Sequence, residues 1–250
     1  MKSILIIGNS FGTDCARYLN GISRAGGAEL RVVNLFIGGC SLYRHYRNML
    51  SGDAAYDYEI NGNKTGLKIS LPSALVLEEW DYIVMQQCSP ESGEYEKYQP
   101  FLSELAAYVR RFSPRSRLCI NMTWTFDREC TRFHKTPFET PEEMMPAIRD
   151  AYHRAARDVD ADVLFPTGEA VWKLYHEIGA ETYRDGFHAN LGWTRYMLGA
   201  VWFMVLTRRS ILGNRFCDFD IDVPAERLAL VQKIAHETVV EAGFELKEKA

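Results

Sequence analysis

The sequence has no hydrophobic run long enough for a membrane-spanning helix. Its longest apolar stretch, 196–206, has 11 residues, whereas a helix needs about 20 to cross a bilayer. No leader or lipidation motif stands before the first predicted strand, because Met1 and Lys2 lead directly into it. We therefore expect a cytoplasmic protein with no membrane partner, or a secreted one if a signal segment has been removed.

The sequence also lacks metal-binding cysteine motifs and an excess of positive charge. The six cysteines form no C-x-x-C pair and no zinc spacing, so we expect neither a metal nor an organic cofactor. The net charge is −4 with dispersed basic residues, which makes nucleic acid an unexpected partner. What remains is a composition of 47% hydrophobic and 25% charged residues, typical of a single globular domain over 1–250.

Five short apolar segments predict an α/β fold, a three-layer α/β/α sandwich with a mainly parallel five-stranded sheet in flavodoxin-like order. The segments lack the polar alternation of half-exposed strands, and amphipathic helical segments separate them. A hairpin inserted beside this sheet is predicted around Asn61-Gly62, at about 56–70. The five segments are 4–7, 30–37, 81–85, 117–122 and 162–165.

The turn after the first strand carries Ser10. Gly8 and Gly12 permit a sharp turn there, and a helix is predicted over 14–22. Ligands of open α/β sheets bind at the carboxyl ends of the strands, so Ser10 is predicted to lie where it can act as a nucleophile. The alternative is that Ser10 only caps the helix.

A second polar motif, Asp185-Gly-Phe-His188, directly precedes a predicted helix. One turn can carry both side chains, so that Asp185 holds one imidazole nitrogen of His188 while the other faces Ser10. The alternative is an ordinary Asp-Gly turn beside a partly buried histidine. Because both motifs fall at the same edge of the predicted sheet, we interpret them together as a Ser-His-Asp triad.

These motifs resemble those of the SGNH, or GDSL-like, hydrolase superfamily over residues 3 to about 207. Gly8-Asn9-Ser10 matches the first block of the family, Gly39 the second, and Asp185 with His188 the last. The third block departs from the pattern, since Gln86-Gln87 stands where the family has Gly-x-Asn. The chain is similar in this respect to a bacterial branch of unassigned substrate with glutamine in place of that asparagine.

The resemblance implies a serine esterase that acts on a small acyl ester, in particular an O-acetyl group on a carbohydrate. Ser10 would attack, His188 would act as base, and Asp185 would orient it. The oxyanion would be held by the backbone of Ser10 and Gly39 and by the side chain of Gln87 or Gln86. Asn9, His45 and Trp124 are expected at the substrate pocket.

Other functions stay open at this point. A thioesterase or lysophospholipase of the same superfamily would use the same triad. A flavodoxin-like binding protein without catalysis, or an inactive relative that binds carbohydrate, would share the fold. Gly8 to Gly12 also spells G-x-S-x-G, but a serine after the first strand does not fit the α/β-hydrolase fold. The oligomeric state is not predicted.

Overall fold

The computed structural model describes residues 1–247, in which seven strands form one sheet. The strands are β1 (Lys2–Gly8), β2 (Leu30–Phe36), β3 (Tyr56–Ile60), β4 (Asn63–Ile69), β5 (Tyr82–Met85), β6 (Arg117–Asn121) and β7 (Val163–Phe165). The α-helices are α1 (Ser10–Ala16), α2 (Leu19–Ala25), α3 (Leu42–Ser51), α4 (Leu71–Val76), α5 (Phe101–Phe112), α6 (Pro141–Asp158), α7 (Thr167–Ile178), α8 (Trp193–Thr207) and α9 (Ala225–Glu241). Short 3₁₀ helices lie at Ser89–Glu91, Tyr95–Lys97, Thr131–Lys135 and Gly179–Thr182.

The sheet has the order β4-β3-β2-β1-β5-β6-β7. The five strands from β2 to β7 in this order are parallel, which confirms the predicted α/β class and flavodoxin-like arrangement. The count of five strands is wrong, because β3 pairs antiparallel with β2 and β4 with β3. The hairpin thus extends the sheet and covers the edge of β2, which would otherwise expose unpaired backbone groups.

Helices on both faces of the sheet explain why β1 has no polar alternation. Ile4 to Ile7 are fully buried, and β1 pairs with β2 on one side and β5 on the other. Helices α1, α2, α7 and α9 pack with α8, while α3 and α4 pack with α5. This arrangement puts the turn after β1 at the middle of the carboxyl edge of the sheet, where loops from several strands meet.

No helix within residues 1–247 is both long and apolar enough to cross a membrane. Within the same range, no group of three or more His, Cys, Asp or Glu side chains is arranged to hold a metal ion.

Candidate active site

Ser10 is the first residue of α1, four positions earlier than the helix predicted from the sequence. The helix starts there because Asn9 caps it, accepting a hydrogen bond from the Phe11 backbone at 3.1 Å. A side chain at Gly8 would lie 2.8 Å from the Asn34 amide oxygen, so only glycine lets this turn approach β2 so closely. The capping role therefore belongs to Asn9, and the Ser10 hydroxyl is available for other contacts.

The structure brings Ser10, His188 and Asp185 together. The His188 Nε2 atom lies 2.8 Å from Ser10 Oγ, and its Nδ1 atom lies 2.7 Å from Asp185 Oδ2. The His188 backbone also donates to Asp185 Oδ1 at 2.9 Å, which fixes the short turn. The side chains of His188 and Asp185 are 17% and 43% exposed, so solvent reaches this edge of the sheet.

The environment of His188 favours the neutral imidazole. Burial lowers its pKa and outweighs the hydrogen bond that the His188 ring donates to Asp185, which acts in the opposite direction. For Asp185, burial alone would raise the pKa, but the hydrogen bonds from the His188 ring and backbone lower it by more. A neutral imidazole beside an ionised carboxylate can take a proton from Ser10 at neutral pH.

A buried ion cluster ties the Ser10 helix to the His188 loop. Asp14, in the turn of α1 that follows Ser10, is fully buried and accepts hydrogen bonds from Arg184 Nη1 at 2.9 Å and Arg195 Nε at 2.8 Å. It also accepts one from the Ala189 backbone at 3.2 Å. Asp14 thus holds the residues on both sides of the Asp185 to His188 turn. This cluster was not predicted from the sequence, although a carboxylate within an apolar helix was a signal for it.

An aromatic stack lies behind the triad. The Phe11 and Trp124 rings are parallel, with centroids 4.0 Å apart, and Trp124 Nε1 donates to the Phe187 carbonyl at 2.8 Å. The Phe187 ring lies 3.8 Å from the His188 ring. Trp124 therefore supports the two loops that carry the triad.

The residues expected to line the pocket, Asn9, His45 and Trp124, are all buried. His45 Nδ1 lies 2.9 Å from the Tyr56 hydroxyl, and burial lowers the pKa of His45 to about 3. Because these side chains are closed off from solvent, they lie behind the site rather than on its exposed surface. A role for them in substrate binding stays a prediction.

A chain of buried amides connects the strand ends beneath the site. Asn9 Nδ2 donates to the Cys40 carbonyl at 3.1 Å, and Gln86 Nε2 donates to Asn9 Oδ1 at 2.9 Å. Asn121 Nδ2 then donates to Gln86 Oε1 at 2.9 Å, and Thr167 Oγ1 donates to Asn121 Oδ1 at 2.7 Å. Gln86 therefore links the Ser10 turn to β6, a structural role that its sequence context did not reveal.

Gln87 is likewise bound within the protein. Its Oε1 atom accepts from the backbones of Leu42 and Cys88, each at 2.9 Å, and its Nε2 atom donates to the Lys97 carbonyl at 3.2 Å. The residue is 0% exposed, so no substrate atom touches its amide while the loops stay in place. The side-chain oxyanion donor expected from Gln87 or Gln86 is thus closed off in this structure.

Two backbone amides near the Ser10 turn lack a partner among the described residues, and the Asn9 to Cys40 hydrogen bond holds the Gly39 loop against that turn. The Ser10 and Gly39 N–H groups make no hydrogen bond with any of residues 1–247. Gly39 is exposed, and its φ of 61° is strained for residues other than glycine. No heavy atom lies within 4 Å of the position that a Gly39 side chain would take, so the space on that side of the Gly39 Cα is open.

Comparison with known proteins gives a family and a fold. The family described as "Domain of unknown function (DUF4886)" matches residues 3–238. A crystal structure of a DUF4886 family protein from Bacteroides uniformis is 33% identical, has a TM-score of 0.89 and aligns over 99% of this chain and 97% of that one. No curated protein matches the sequence.

Two more distant solved structures share the fold. A candidate SGNH hydrolase from Slackia heliotrinireducens is 21% identical with a TM-score of 0.57, over 82% of this chain and 98% of that one. A candidate GDSL-like lipase from Parabacteroides merdae is 13% identical with a TM-score of 0.55, over 80% of this chain and 93% of that one. The fold is therefore that of SGNH hydrolases, and the chain belongs to the DUF4886 family.

Proposed function

We propose that this protein is an SGNH-type serine esterase that cleaves a small acyl ester, an O-acetyl group on a carbohydrate. The observation that carries the proposal is the pair of hydrogen bonds joining Ser10 to His188 and His188 to Asp185. Structural serines rarely have a neutral, carboxylate-oriented imidazole on their hydroxyl, whereas a serine nucleophile requires one.

The proposed reaction has two stages. In the first, His188 Nε2 takes the proton of Ser10 as Oγ attacks the ester carbonyl, and the same nitrogen then protonates the departing alcohol oxygen. The unpartnered backbone amides of Ser10 and Gly39 would hold the oxyanion. In the second stage, water activated by His188 attacks the acyl-enzyme, which releases the carboxylic acid and restores Ser10.

The surroundings of the triad support a hydrophilic alcohol. Gly38, Gly39 and Asp185 are exposed and belong to the two loops that contact the Ser10 turn, so these loops offer backbone and carboxylate groups to a substrate. A sugar hydroxyl suits such a rim better than a lipid chain does, because burying polar groups against hydrocarbon is unfavourable. The triad supports the reaction class, and the proposed acetyl group is tested by varying the length of the acyl chain.

The test compares wild type with Ser10→Ala on p-nitrophenyl acetate, butyrate and octanoate. Ser10→Ala should lower kcat on the acetate by about 10⁴-fold or more, since loss of a triad nucleophile removes the covalent route. The wild-type rate should fall as the acyl chain lengthens, after which acetylated sugars can be screened. Ser103→Ala, at an exposed position of α5, is the matched control and should behave as wild type.

A covalent readout supports the kinetic one. A fluorophosphonate should add one phosphonyl group to Ser10 in the wild type, seen by peptide mass spectrometry, and should leave Ser10→Ala unlabelled. Equal activity and labelling in Ser10→Ala would refute the triad mechanism. If the octanoate is turned over faster than the acetate, the acetylesterase assignment is wrong, and a lipase-type or thioesterase-type activity is favoured.

A further inference from the structure

The segment after β6 packs against the loop that carries Asp185 and His188. The Asp127 backbone donates to the Gly186 carbonyl at 2.6 Å. A side chain on Gly186 would lie 3.3 Å from Cys130 Sγ, so the segment packs closely on the triad loop. The 3₁₀ helix Thr131–Lys135 follows directly and is held next to the triad by these contacts.

Arg132 of this 3₁₀ helix lies over Phe187. Its Cζ atom is 3.8 Å from the centroid of the Phe187 ring, and that ring lies 3.8 Å from the ring of His188. The Arg132 side chain is half-buried. A guanidinium stacked in this way is oriented by the aromatic ring, and the edges that carry its N–H groups are free to face a ligand.

The guanidinium of Arg132 has no acceptor of its own. It makes no ion pair and no hydrogen bond with any side chain or carbonyl of residues 1–247. The two nearby carboxylates are engaged elsewhere, since Asp185 binds His188 and Asp127 accepts from the Glu129 backbone at 3.0 Å. A half-buried guanidinium that is oriented by a ring and has no acceptor in the described part of the protein keeps its five N–H donors for water or for a ligand.

Arg128, in the same segment, shows the usual arrangement. Its Nη2 atom pairs with Glu142 Oε1 at 2.6 Å. The two arginines lie four positions apart. Arg128 is exposed and has a carboxylate partner in the protein, whereas Arg132 is half-buried over Phe187 and has none within residues 1–247. Only Arg132 has its binding capacity left for a ligand.

The position of Arg132 indicates which part of the substrate it would meet. In the proposed reaction His188 protonates the oxygen of the leaving alcohol, so the alcohol lies on the His188 side of the site. Gly39, beside the oxyanion and the acyl group, belongs to the loop after β2. Arg132 is connected to His188 through Phe187 and therefore lies on the alcohol side.

We propose that Arg132 binds a carboxylate on the alcohol part of the substrate, so that the enzyme prefers O-acyl esters of acidic alcohols such as acylated acidic sugars. This inference rests on the proposed function. The planar fork of the guanidinium matches the two oxygens of a carboxylate. Arg132 would thus select the substrate and hold it, while the triad carries out the reaction.

The experiment measures a selectivity ratio, kcat/KM for 4-acetoxybenzoate divided by kcat/KM for phenyl acetate. Both esters release acetate, and only the first has a carboxylate on its alcohol part. Arg132→Gln should lower the ratio by about 10- to 100-fold, the value of one charge-assisted contact. Arg132→Lys keeps the charge without the planar fork and should give an intermediate ratio.

Arg128→Gln is the matched control, because it removes the same charge from the same segment. It should leave the ratio within about 2-fold of wild type, since charges that make no contact are screened by water and salt. Circular dichroism and the denaturation midpoint check that each variant is folded. If Arg132→Gln lowers the ratio no more than Arg128→Gln does, the proposal is refuted.

Two further outcomes separate this inference from the proposed function. Phenyl hemisuccinate carries its carboxylate on the acyl part. A loss confined to that ester in Arg132→Gln would overturn the assignment of Arg132 to the alcohol side. If Ser10→Ala hydrolyses both acetate esters as fast as wild type, the proposed function itself fails, and the inference fails with it.

Discussion

Asp14→Asn should destabilise the protein, although the Asp14 carboxylate takes no part in the proposed reaction. The substitution keeps the size of the side chain and one acceptor oxygen, and it removes the negative charge. Asp14 is fully buried and holds Arg184, Arg195 and the Ala189 backbone. The variant therefore leaves two guanidinium groups without the charge that compensated their partial burial.

The magnitude follows from the exposure of the two arginines. Removing one partner of a buried ion pair costs about 3–5 kcal/mol. The Arg184 and Arg195 side chains are 26% and 12% exposed, and Arg195 keeps a second partner, Asp220 Oδ2, at 3.1 Å. Because water and Asp220 offset part of the loss, we expect a decrease in the free energy of unfolding of about 2–3 kcal/mol.

The assay is urea unfolding at neutral pH followed by circular dichroism. Asp220→Asn is the control, since it removes a half-buried carboxylate that pairs with the same Arg195 and with Arg17; because these pairs are partly exposed, it should cost about 1 kcal/mol. Asp14→Asn should also lower kcat on p-nitrophenyl acetate, because the Ala189 contact helps to hold His188 near Ser10. An unfolding free energy within about 0.5 kcal/mol of wild type would refute this account of the cluster.

Three more predictions concern buried polar groups. Since burial lowers the pKa of His188, kcat/KM should rise with pH along a titration whose midpoint lies below the ordinary histidine value of 6.5; a midpoint above it contradicts the assignment. His45, with a pKa of about 3 when folded, stays neutral where the unfolded chain takes up a proton. The free energy of unfolding should therefore fall by up to about 1.4 kcal/mol per pH unit as the pH drops below the pKa of this histidine in the unfolded chain. If urea unfolding of a His45→Gln variant shows the same dependence on pH, this prediction is refuted. Gln86→Leu removes one hydrogen bond each from Asn9 Oδ1 and Asn121 Nδ2 and should cost about 1–3 kcal/mol of unfolding free energy; an unchanged midpoint would show that the amide chain is dispensable.

Local sequence predicts the parts of the site that depend on a single turn. The run from Ile4 to Gly8 indicates a buried strand that ends just before Ser10, and the spacing of Asp185 and His188 lets one turn carry both. Neither pattern predicts how close the two motifs lie in the folded protein. That distance depends on Asp14 and its arginines, which are 170 and 181 positions away along the chain.

The hairpin shows the same limit at the scale of the fold. Asn61-Gly62 marks the turn between β3 and β4, and the sequence placed the hairpin correctly along the chain. The hairpin can pack beside the sheet or extend it. The outcome depends on which strand has an unpaired edge, and the order of the strands decides that. The parallel order leaves β2 at an edge, so β3 pairs with it and the sheet has seven strands.

The glutamines after β5 show why residue type alone did not settle the oxyanion hole. A glutamine amide has the donors of an asparagine amide on a side chain longer by one methylene. In this chain the extra length lets Gln86 span the gap between Asn9 and Asn121, and Gln87 binds three backbone groups around α3 and the loop after β5. Both amides thus stabilise the loops that present the Ser10 and Gly39 backbone. If these two N–H groups hold the oxyanion, the departure in the third block changes how the site is supported and leaves the proposed chemistry intact.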